Sequence, residues 1–382
     1  MLTVSASEQS EKIRHEIRAW LKDNPPPEVV SETSLETFVE TGKQWQKKLA
    51  TSRFIAVHWP SQFGGRGLSL VEEAIIQEEL GRARAPQVLG LFGLTMVGPV
   101  LIKYGREDQK TRYLQKILNC EEIWCQGFSE PEAGSDLVNV KTKAVKTDVG
   151  FKITGQKVWT SFAHIADHIF VLARTSEEEK KHKGLTYFLV PMTSAGITVR
   201  PLRQITGDAE FNEVFFEDVF VPEDAIVGQI GDGWNIAIST LMYERLVLTF
   251  SRHIQSEHVL RGLLNKKDNL DSNLQVELGK ELSRAAAVRA LAYKHLTKYA
   301  NGESPGAEGS LDKLFWTTSF QSISKLALKA SGMMSAFGES HDQYGTDVNR
   351  YLYSRGRSIA AGTSEIQRGI IAERLLGLPK GR

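Results

Sequence analysis

Two short segments combine small and hydroxylated residues with one large aromatic side chain. The first, QGFSEPEAGSD, spans residues 126–136, and the second, TGQKVWTS, spans residues 154–161. Glycine and serine let a backbone approach a flat ligand closely and offer it N–H and O–H donors. Trp159 adds a broad apolar face, the usual partner of an aromatic ring system. The alternative is that each segment is an ordinary turn, which explains either one taken alone.

A third segment, SIAAGTSEIQRGIIAERLLGLP, spans residues 358–379. Ser364 followed by Gln367 has the spacing of a capping box, so a helix is expected to run from about Glu365 to Leu376. The free N–H groups at the start of that helix would suit a phosphate or a polar cofactor tail. Taken alone, the segment is explained as well by an ordinary capped amphipathic helix.

In this order and at this spacing, the segments resemble the signatures of the acyl-CoA dehydrogenase family. The family's E-P-x-A-G-S-D and G-x-K-x-W-T/I-S/T cores are nearly complete, and G-T-S-E-I-Q-R closely matches its C-terminal signature. The resemblance implies FAD as the cofactor and an acyl-CoA as the substrate. It places the flavin contacts on Gln126, Phe128, Ser129, Gly134, Ser135, Trp159, Thr160, Ser161, Thr363 and Glu365. It places the substrate contacts on Ser135, Arg245, Ala361 and Gly362.

The residue before Gly362 departs from the commonest family pattern. Many members carry the catalytic glutamate there, whereas this chain has Ala361, which cannot accept a proton. Dehydrogenation of a thioester needs a base for the α-proton, a hydride acceptor, and donors for the enolate-like charge on the thioester oxygen. The resemblance implies that flavin N5 is the acceptor. It also implies that the backbone N–H of Ala361 and a flavin ribityl hydroxyl are the donors. The alanine therefore removes the base and keeps the oxyanion donor.

Glu244, in the segment LMYERLVL, is the candidate for the missing base. A minority of the family, including isovaleryl- and long-chain enzymes, carries its base at this place on the first long bundle helix, directly before an arginine. The alternative interpretation is an exposed helical glutamate paired with Arg245 or with a neighbouring turn. Burial among the apolar flanking residues would raise the pKa of Glu244 toward the working range of a base.

The hydrophobic pattern divides the chain into three parts. Helical spacing dominates up to about Leu118, as at Ile13, Ile17 and Leu21, and short β-branched and aromatic runs follow to Val227. The predicted fold is mainly α with a central β-domain, matching the acyl-CoA dehydrogenase architecture. Its predicted domains are an N-terminal α-helical domain over 1–122, a middle β-barrel over 123–227, and a C-terminal four-helix bundle over 228–382.

Two family elements are missing or altered. The R-x-x-F-G element is absent from SRHIQSEHVLRGLLNKKDNLD, and the Q-x-x-G-G-x-G loop is replaced by KASGMMSAFG at residues 329–338. The adenine end of the flavin is therefore expected to be held differently, or against a different chain. Some branches that act on bulky acyl groups are mixed assemblies of two related subunits. The sequence is compatible both with a homo-oligomer and with an assembly that contains a related acyl-CoA dehydrogenase subunit.

Composition restricts the remaining function classes. The 382 residues carry a net charge of +1 with 24% charged residues, so no basic excess indicates nucleic acid. The N-terminus lacks the pattern of a secretory signal, and no stretch approaches eighteen uninterrupted apolar residues, so neither export nor a membrane span is expected. A cytoplasmic protein is predicted. Cys120 and Cys125 are expected to be reduced, and the histidines show no metal-ligand spacing, so no metal site is predicted.

The leading hypothesis is an FAD-dependent acyl-CoA dehydrogenase that passes electrons to an electron-transfer flavoprotein. A second enzyme hypothesis is an acyl-CoA oxidase, although oxidases of this superfamily generally carry a further C-terminal helical domain. The hypothesis from a different class is a non-catalytic subunit that completes a partner's flavin site. Glu244 distinguishes the enzyme hypotheses from the non-catalytic one, because a silent subunit has no reason to keep a carboxylate at the family's alternative base position.

Overall fold

The structure is a computed structural model that describes residues 8–28, 34–301, 303, 306–332 and 346–379. Within helical segments it leaves aside the side chains of residues 243–252 and 300. The chain separates into two compact units. The first, here the helical unit, comprises Met1–Ser34, Gly67–Pro86 and Arg245–Arg382, and the second, the mixed unit, comprises Leu35–Arg66 and Gln87–Glu244.

Helices precede the first strand, as the spacing of apolar residues predicts. They are α1 (Glu8–Asp23), α2 (Leu35–Thr51), α3 (Leu70–Arg82), α4 (Gly98–Tyr104) and α5 (Glu107–Leu118). Ile13 and Ile17 are fully buried on α1, which confirms the helical periodicity there. A capping box starts α3, because the Ser69 hydroxyl accepts from the Val71 N–H and the Glu72 carboxylate accepts from the Ser69 N–H.

The middle of the chain forms one sheet. Its strands are β1 (Trp124–Gly127), β2 (Lys143–Thr147), β3 (Gly150–Ser161), β4 (His168–Arg174), β5 (Leu185–Pro191), β6 (Ile197–Leu202), β7 (Phe211–Pro222) and β8 (Ile226–Val227). The spatial order is β6-β7-β3-β2-β4-β5-β8, and β1 pairs in parallel with β4. Ile197 and Val199 of β6 pack against the same core as Ile226 of β8. The two end strands thus share one core, so the sheet curls around it as a barrel does.

The last part of the chain is helical again. Its described residues form α6 (Gly233–Asn265), α7 (Ser272–Ala300), α8 (Glu308–Ser331), α9 (Asp347–Arg357) and the short α10 (Ser364–Ile370). In the helical unit, a core that includes Leu260, Leu278 and Ile323 joins α6, α7 and α8. None of the helices in the described ranges combines the length and the apolar composition needed to span a bilayer.

The start of α10 corrects one prediction. Thr363 rather than Ser364 is the N-cap residue, because its backbone is extended and its hydroxyl accepts from the Ile366 N–H at 3.3 Å. Both residue types cap helices well, and only the backbone conformation decides between two neighbours. Regular α-helix ends at Ile370 and continues as a wider π-type turn over Ile371–Leu375, within the range predicted as one helix.

Candidate functional site

A fully buried lysine joins the two middle segments. Lys157 lies on β3, and its Nζ donates to the Glu130 carboxylate at 2.8 Å, to the Phe128 carbonyl at 3.1 Å and to the Leu172 carbonyl at 2.8 Å. These acceptors replace the hydration shell that the ammonium group loses on burial. The side chain of Lys157 therefore connects the loop after β1 with β3 and β4.

Glu130 extends this hydrogen-bond network to the segment that precedes β2. Its carboxylate accepts from the backbone N–H of Lys141 at 2.6 Å and of Thr142 at 2.9 Å, in addition to Lys157. The Val158 N–H also donates to the Ser129 carbonyl at 2.9 Å. Because these bonds hold main-chain atoms on both sides, the loop that carries Ser129 has a fixed position relative to Trp159.

The Lys157–Glu130 pair is charged in spite of its burial. Burial lowers the pKa of Lys157 to about 8, and the neighbouring Glu130 carboxylate opposes that shift. Burial also acts to raise the pKa of Glu130, but the charge and hydrogen bond of Lys157 outweigh it and hold that pKa below its usual value. Removing one member of such a pair leaves an uncompensated buried charge and costs about 3–5 kcal/mol.

Trp159 stands out from the sheet at a bulge. The register of β3 against β7 shifts between Lys157 and Thr160, and Trp159 has a φ of 60°. The left-handed conformation costs a non-glycine residue about 1–2 kcal/mol, so the surrounding ladder must hold it in place. The indole is 59% exposed and meets the Phe211 ring edge-on at 5.9 Å between centroids. An aromatic face is thus presented outward, as the predicted flavin contact requires.

Buried polar atoms in the two middle segments are consistent with a polar ligand. Gln126 Nε2 and Thr160 Oγ1 are buried and have no hydrogen-bond partner among the described residues. Nothing lies within 4 Å of a Cβ built on Gly134, and the neighbouring Ser135 is exposed. An amide donor, a hydroxyl and an open glycine-serine step suit the carbonyls, hydroxyls and flat ring of FAD. The residues present therefore fit this cofactor.

Phe128 has a different environment from the other predicted contacts. Its ring is buried and packs edge-on against Phe170 and Tyr187, at 5.5 and 6.0 Å between centroids. A contact between Phe128 and the flavin would have to come from its main chain. Ser129 and Ser161, by contrast, are partly exposed.

The C-terminal segment forms a tight turn in the helical unit. Ala361 and Gly362 have φ angles of 56° and 91°. Gln367 Nε2 donates to the carbonyls of Ala361 at 2.9 Å and Gly362 at 3.2 Å, and Lys313 Nζ donates to the Gly362 carbonyl at 2.6 Å. In the described part of the chain, the N–H groups of Ala361 and Gly362 have no acceptor. The turn thus offers free N–H donors next to a methyl side chain.

Thr363 and Glu365 follow this turn. Thr363 uses its hydroxyl as the cap of α10, so its side-chain oxygen already accepts one hydrogen bond. Glu365 is exposed, and bonds from its own backbone N–H and from Thr363 lower the pKa of its carboxyl. Both residues lie at the N-terminal end of α10, where the signature resemblance places the flavin contact.

The predicted base and its neighbour are only partly described. Glu244 and Arg245 lie within α6, but their side chains are outside the described residues. Residues 333–338 of the altered glycine loop also lie outside the described part of the chain. The Trp159 segment belongs to the mixed unit and the Thr363 segment to the helical unit, so their union into one site stays a prediction.

Lys157 and Glu130 are part of the two signature cores and Gln367 has capping-box spacing, but the sequence assigned no role in the site to these residues or to Lys313. The pattern of apolar residues around Lys157 and Lys313 could have indicated that both lysines are buried. Lys157 continues the buried alternation of Phe151 and Ile153 on β3, and Lys313 shares a buried helical stripe with Trp316 and Phe320. A lysine on an apolar face is a sign of buried polar bonding, because an unpartnered amine there would be costly.

Family models cover nearly the whole chain. The acyl-CoA dehydrogenase N-terminal domain matches residues 7–121, the middle domain 125–219 and the C-terminal domain 231–376. The chain therefore belongs to the acyl-CoA dehydrogenase family. It is an FAD-dependent oxidoreductase, and the predictions of family, fold, enzyme class and cofactor are confirmed.

Named relatives and solved structures agree with this assignment. The chain is 39% identical to the acyl-CoA dehydrogenase IpdE1 of Mycolicibacterium smegmatis, over 97% of this chain and 98% of that protein. It is 39% identical to FadE34 of Mycobacterium tuberculosis, over 88% of this chain and 46% of FadE34. Among solved structures, the Tcur3481-Tcur3483 steroid acyl-CoA dehydrogenase has a TM-score of 0.86 at 25% identity, covering 100% of both chains. The ChsE4-ChsE5 complex of Mycobacterium tuberculosis has a TM-score of 0.85 at 26% identity, also covering 100% of both chains.

Proposed function

We propose that this protein oxidises an acyl-CoA thioester to the 2-enoyl-CoA, with Glu244 as the base. The observation that supports this most directly is the turn at Ala361 and Gly362. Its side chains carry no acid or base, while its N–H groups have no acceptor among the described residues. The turn is therefore suited to stabilise charge and unsuited to remove a proton, so a carboxylate from another element is required.

The proposed reaction assigns one task to each residue. The Glu244 carboxylate takes the α-proton, and the electron pair of that C–H bond becomes the new C=C bond as the β-hydrogen leaves as hydride. The Ala361 N–H donates to the thioester oxygen, where negative charge develops, and a preorganised donor at such an atom lowers the barrier. Bound FAD supplies the hydride acceptor at N5. Trp159, Thr160 and Ser161 of the mixed unit would contact the flavin, and the signature resemblance assigns flavin contacts to Thr363 and Glu365 as well.

We also propose a bulky, fused-ring acyl group and an electron-transfer flavoprotein as the electron acceptor. The substrate proposal is supported by the likeness to a structure whose name specifies a steroid acyl-CoA dehydrogenase. The small methyl of Ala361 leaves more room than a glutamate would at the same place. A panel of straight, branched and polycyclic acyl-CoAs, scored by anaerobic bleaching of the flavin, tests the substrate. Reoxidation of the reduced protein by an electron-transfer flavoprotein rather than by oxygen tests the acceptor.

The decisive experiment compares wild type with Glu244→Gln in anaerobic flavin reduction. Because the amide keeps the shape and removes the base, the variant is expected to bind FAD and to reduce it ~10²–10⁴-fold more slowly. Glu257→Gln, on the same helix and partly exposed, is the matched control and should behave as wild type. Equal rates for wild type and Glu244→Gln would refute the assignment of the base.

A second candidate function is a half-site subunit that completes a partner's flavin site without reacting itself. The alanine at position 361 favours it, as does the likeness to structures named as pairs of chains. Absence of flavin reduction in wild type with every acyl-CoA of the panel would support this function over the first. Activity that appears only on co-expression with a second family member would give the chain a half-site role in a mixed enzyme.

A further inference from the structure

Lys313 directs a buried amine at the turn before α10. It lies on α8 and is 6% exposed, and its Nζ donates to the carbonyls of Gly362 at 2.6 Å and Ser358 at 3.3 Å. A buried ammonium group needs such acceptors, and charged donors make the stronger hydrogen bonds. The lysine therefore clamps both ends of the Ser358–Gly362 loop to one atom.

The clamp acts together with Gln367, which is fully buried on α10. Gln367 holds the peptide between Ala361 and Gly362 through the Ala361 carbonyl, and Lys313 holds the next peptide through the Gly362 carbonyl. In a trans peptide the N–H points opposite to the C=O, so fixing these carbonyls also fixes the N–H groups of Gly362 and Thr363. The Ala361 N–H belongs to the preceding peptide, inside the loop whose two ends Lys313 holds. A side chain at position 362 would meet Gln367 Nε2 at 2.6 Å and would suffer from the φ of 91°, so glycine is required there.

The charge of Lys313 reaches the exposed side of the turn. After the bonds from backbone and from Thr363, Lys313 is one of the charges that lower the pKa of the Glu365 carboxyl. The Lys313 cation bonded to this loop and the loop N–H groups that have no acceptor in the described part of the chain both contribute a positive potential there. Such a potential favours an anion held against the Ala361 N–H.

We propose that Lys313 is a positioning residue for the reaction: by holding both ends of the Ser358–Gly362 loop it keeps the Ala361 N–H in place and supports the charge that develops on the thioester oxygen. The inference rests on the proposed function, since it concerns the same oxyanion donor. Lys313 touches neither substrate nor flavin in this proposal. Its effect passes through the main chain of residues 358–362.

The test compares Lys313→Met, Lys313→Arg and the control Lys325→Met, which replaces an exposed lysine of the same helix. Loss of a whole oxyanion donor costs ~10²–10³ in kcat, so a displaced donor should cost at least about tenfold. We expect Lys313→Met to retain FAD and its half-saturating acyl-CoA concentration, while the limiting rate of anaerobic flavin reduction falls. Lys313→Arg should recover most of that rate, and Lys325→Met should equal wild type.

Two results would overturn the inference. One is a wild-type limiting rate in Lys313→Met, and the other is a general loss of flavin and melting temperature that Lys313→Arg does not rescue. If Lys313→Met yields no folded holoprotein, Lys313→Gln takes its place with the same expected rate loss, because it removes the charge and keeps an N–H donor.

Amide hydrogen exchange of residues 358–366 in the flavin-loaded protein separates this inference from the proposed function. Without the clamp, exchange in that segment should be at least tenfold faster in Lys313→Met than in Lys325→Met. Unchanged exchange would overturn the clamp. If wild type reduces with no acyl-CoA of the panel, the proposed function fails, and faster exchange in Lys313→Met would still establish the clamp.

Discussion

A buried lysine supports each of the two segments that are proposed to contact the flavin. Lys157 holds the Phe128 and Leu172 carbonyls in the mixed unit, and Lys313 holds the Ser358 and Gly362 carbonyls in the helical unit. In each case the amine bonds two main-chain oxygens and so fixes backbone, and Lys157 bonds the Glu130 carboxylate as well. The positions of the residues predicted to contact the flavin thus depend on buried residues that a ligand does not reach.

Replacement of Lys157 tests this dependence. Lys157→Met leaves the Glu130 carboxylate buried without its cation and is expected to lower the free energy of unfolding by about 3–5 kcal/mol. It should also lose FAD on gel filtration, because the loop that carries Ser129 is no longer fixed. Lys152→Met is the matched control on the same strand, with an exposed lysine 3.8 Å from Asp218. Full FAD retention in a destabilised Lys157→Met protein would show that the pair serves stability alone.

The sequence assigns ligand contacts to residues of compact motifs, but it assigns no role to the residues that support them. Trp159 and its neighbours stand in a compact motif, where residue type and spacing carry the information. Glu130 lies 27 residues from Lys157 in the sequence, and nothing local pairs the two. The positive φ of Trp159 and Ala361 follows from the ladder and turn around them, which the sequence alone does not specify.

At the scale of the elements, buried charges connect four helices of the helical unit. Glu78 of α3 is fully buried and accepts from Arg289 of α7 at 2.8 and 3.0 Å and from His253 of α6 at 3.0 Å. Arg14 of α1 lies 3.6 Å from the same carboxylate. Burial would raise the pKa of Glu78, but the bonds from His253 and Arg289 outweigh it and hold that pKa well below its usual value.

Neutralising Glu78 should destabilise these helices. Glu78→Gln leaves the buried cations without their carboxylate and is expected to cost about 3–5 kcal/mol at neutral pH. Glu277→Gln removes an exposed pair with Lys329, worth about 0–1 kcal/mol, and serves as the control. Urea unfolding followed by helical circular dichroism measures both variants. A loss for Glu78→Gln no larger than that of the control would contradict the role of the cluster.

The lowered pKa of Glu78 predicts that the stability of the protein depends on pH. Since the folded pKa of Glu78 lies below its ordinary value of 4.5, the unfolded state binds the proton more readily as the solution is acidified. The stabilisation is therefore fully present above about pH 4.5 and is lost as the pH falls through the folded pKa. Wild type should lose stability over that range more steeply than Glu78→Gln. Parallel acid profiles would place the acid sensitivity in other carboxylates.

Helix α3 shows why such a cluster escapes sequence analysis. Its segment LVEEAIIQEELGR is helical as predicted, yet Glu72, Glu73, Glu78 and Glu79 are all buried. Paired glutamates on a helix usually mark a solvated face, and the partners Arg14 and Arg289 come from helices distant in sequence. Helix existence follows from local periodicity, whereas the pairing of helices follows from contacts between distant residues.

At the scale of the whole molecule, the helical–β–helical order was predicted, and the compact units were not. Residues 67–86, with α3, belong to the same unit as Arg245–Arg382, whereas α2, α4 and α5 belong to the unit of the sheet. The sequence does not distinguish α3 from α2, α4 and α5, because the periodicity of a helix does not specify the surface against which it packs. The domain boundaries drawn from the sequence stay predictions, and the family matches follow a similar three-part order.

The helical unit exposes large apolar side chains around its C-terminal turn. Ile359 is 65% exposed and Leu376 67%, and Phe315, Ile366 and Leu378 are also exposed. Such side chains near one turn are typical of a surface that another chain covers. We therefore expect at least a dimer and most simply a tetramer, formed with copies of this chain or with a related subunit.

Light scattering with simultaneous flavin absorbance measures this assembly. Leu376→Asp should shift the protein toward the monomer and lower its FAD content, because a charge at the covered surface opposes association. Val149→Asp, at an exposed position between β2 and β3, is the matched control and should leave the assembly unchanged. A stable, flavin-loaded monomer of wild type would contradict both the assembly and the sharing of the adenine end between chains. If the chain is recovered in soluble form only when a second family member is co-expressed, the covered surface belongs to a mixed assembly, and Leu376→Asp should then abolish binding of that subunit.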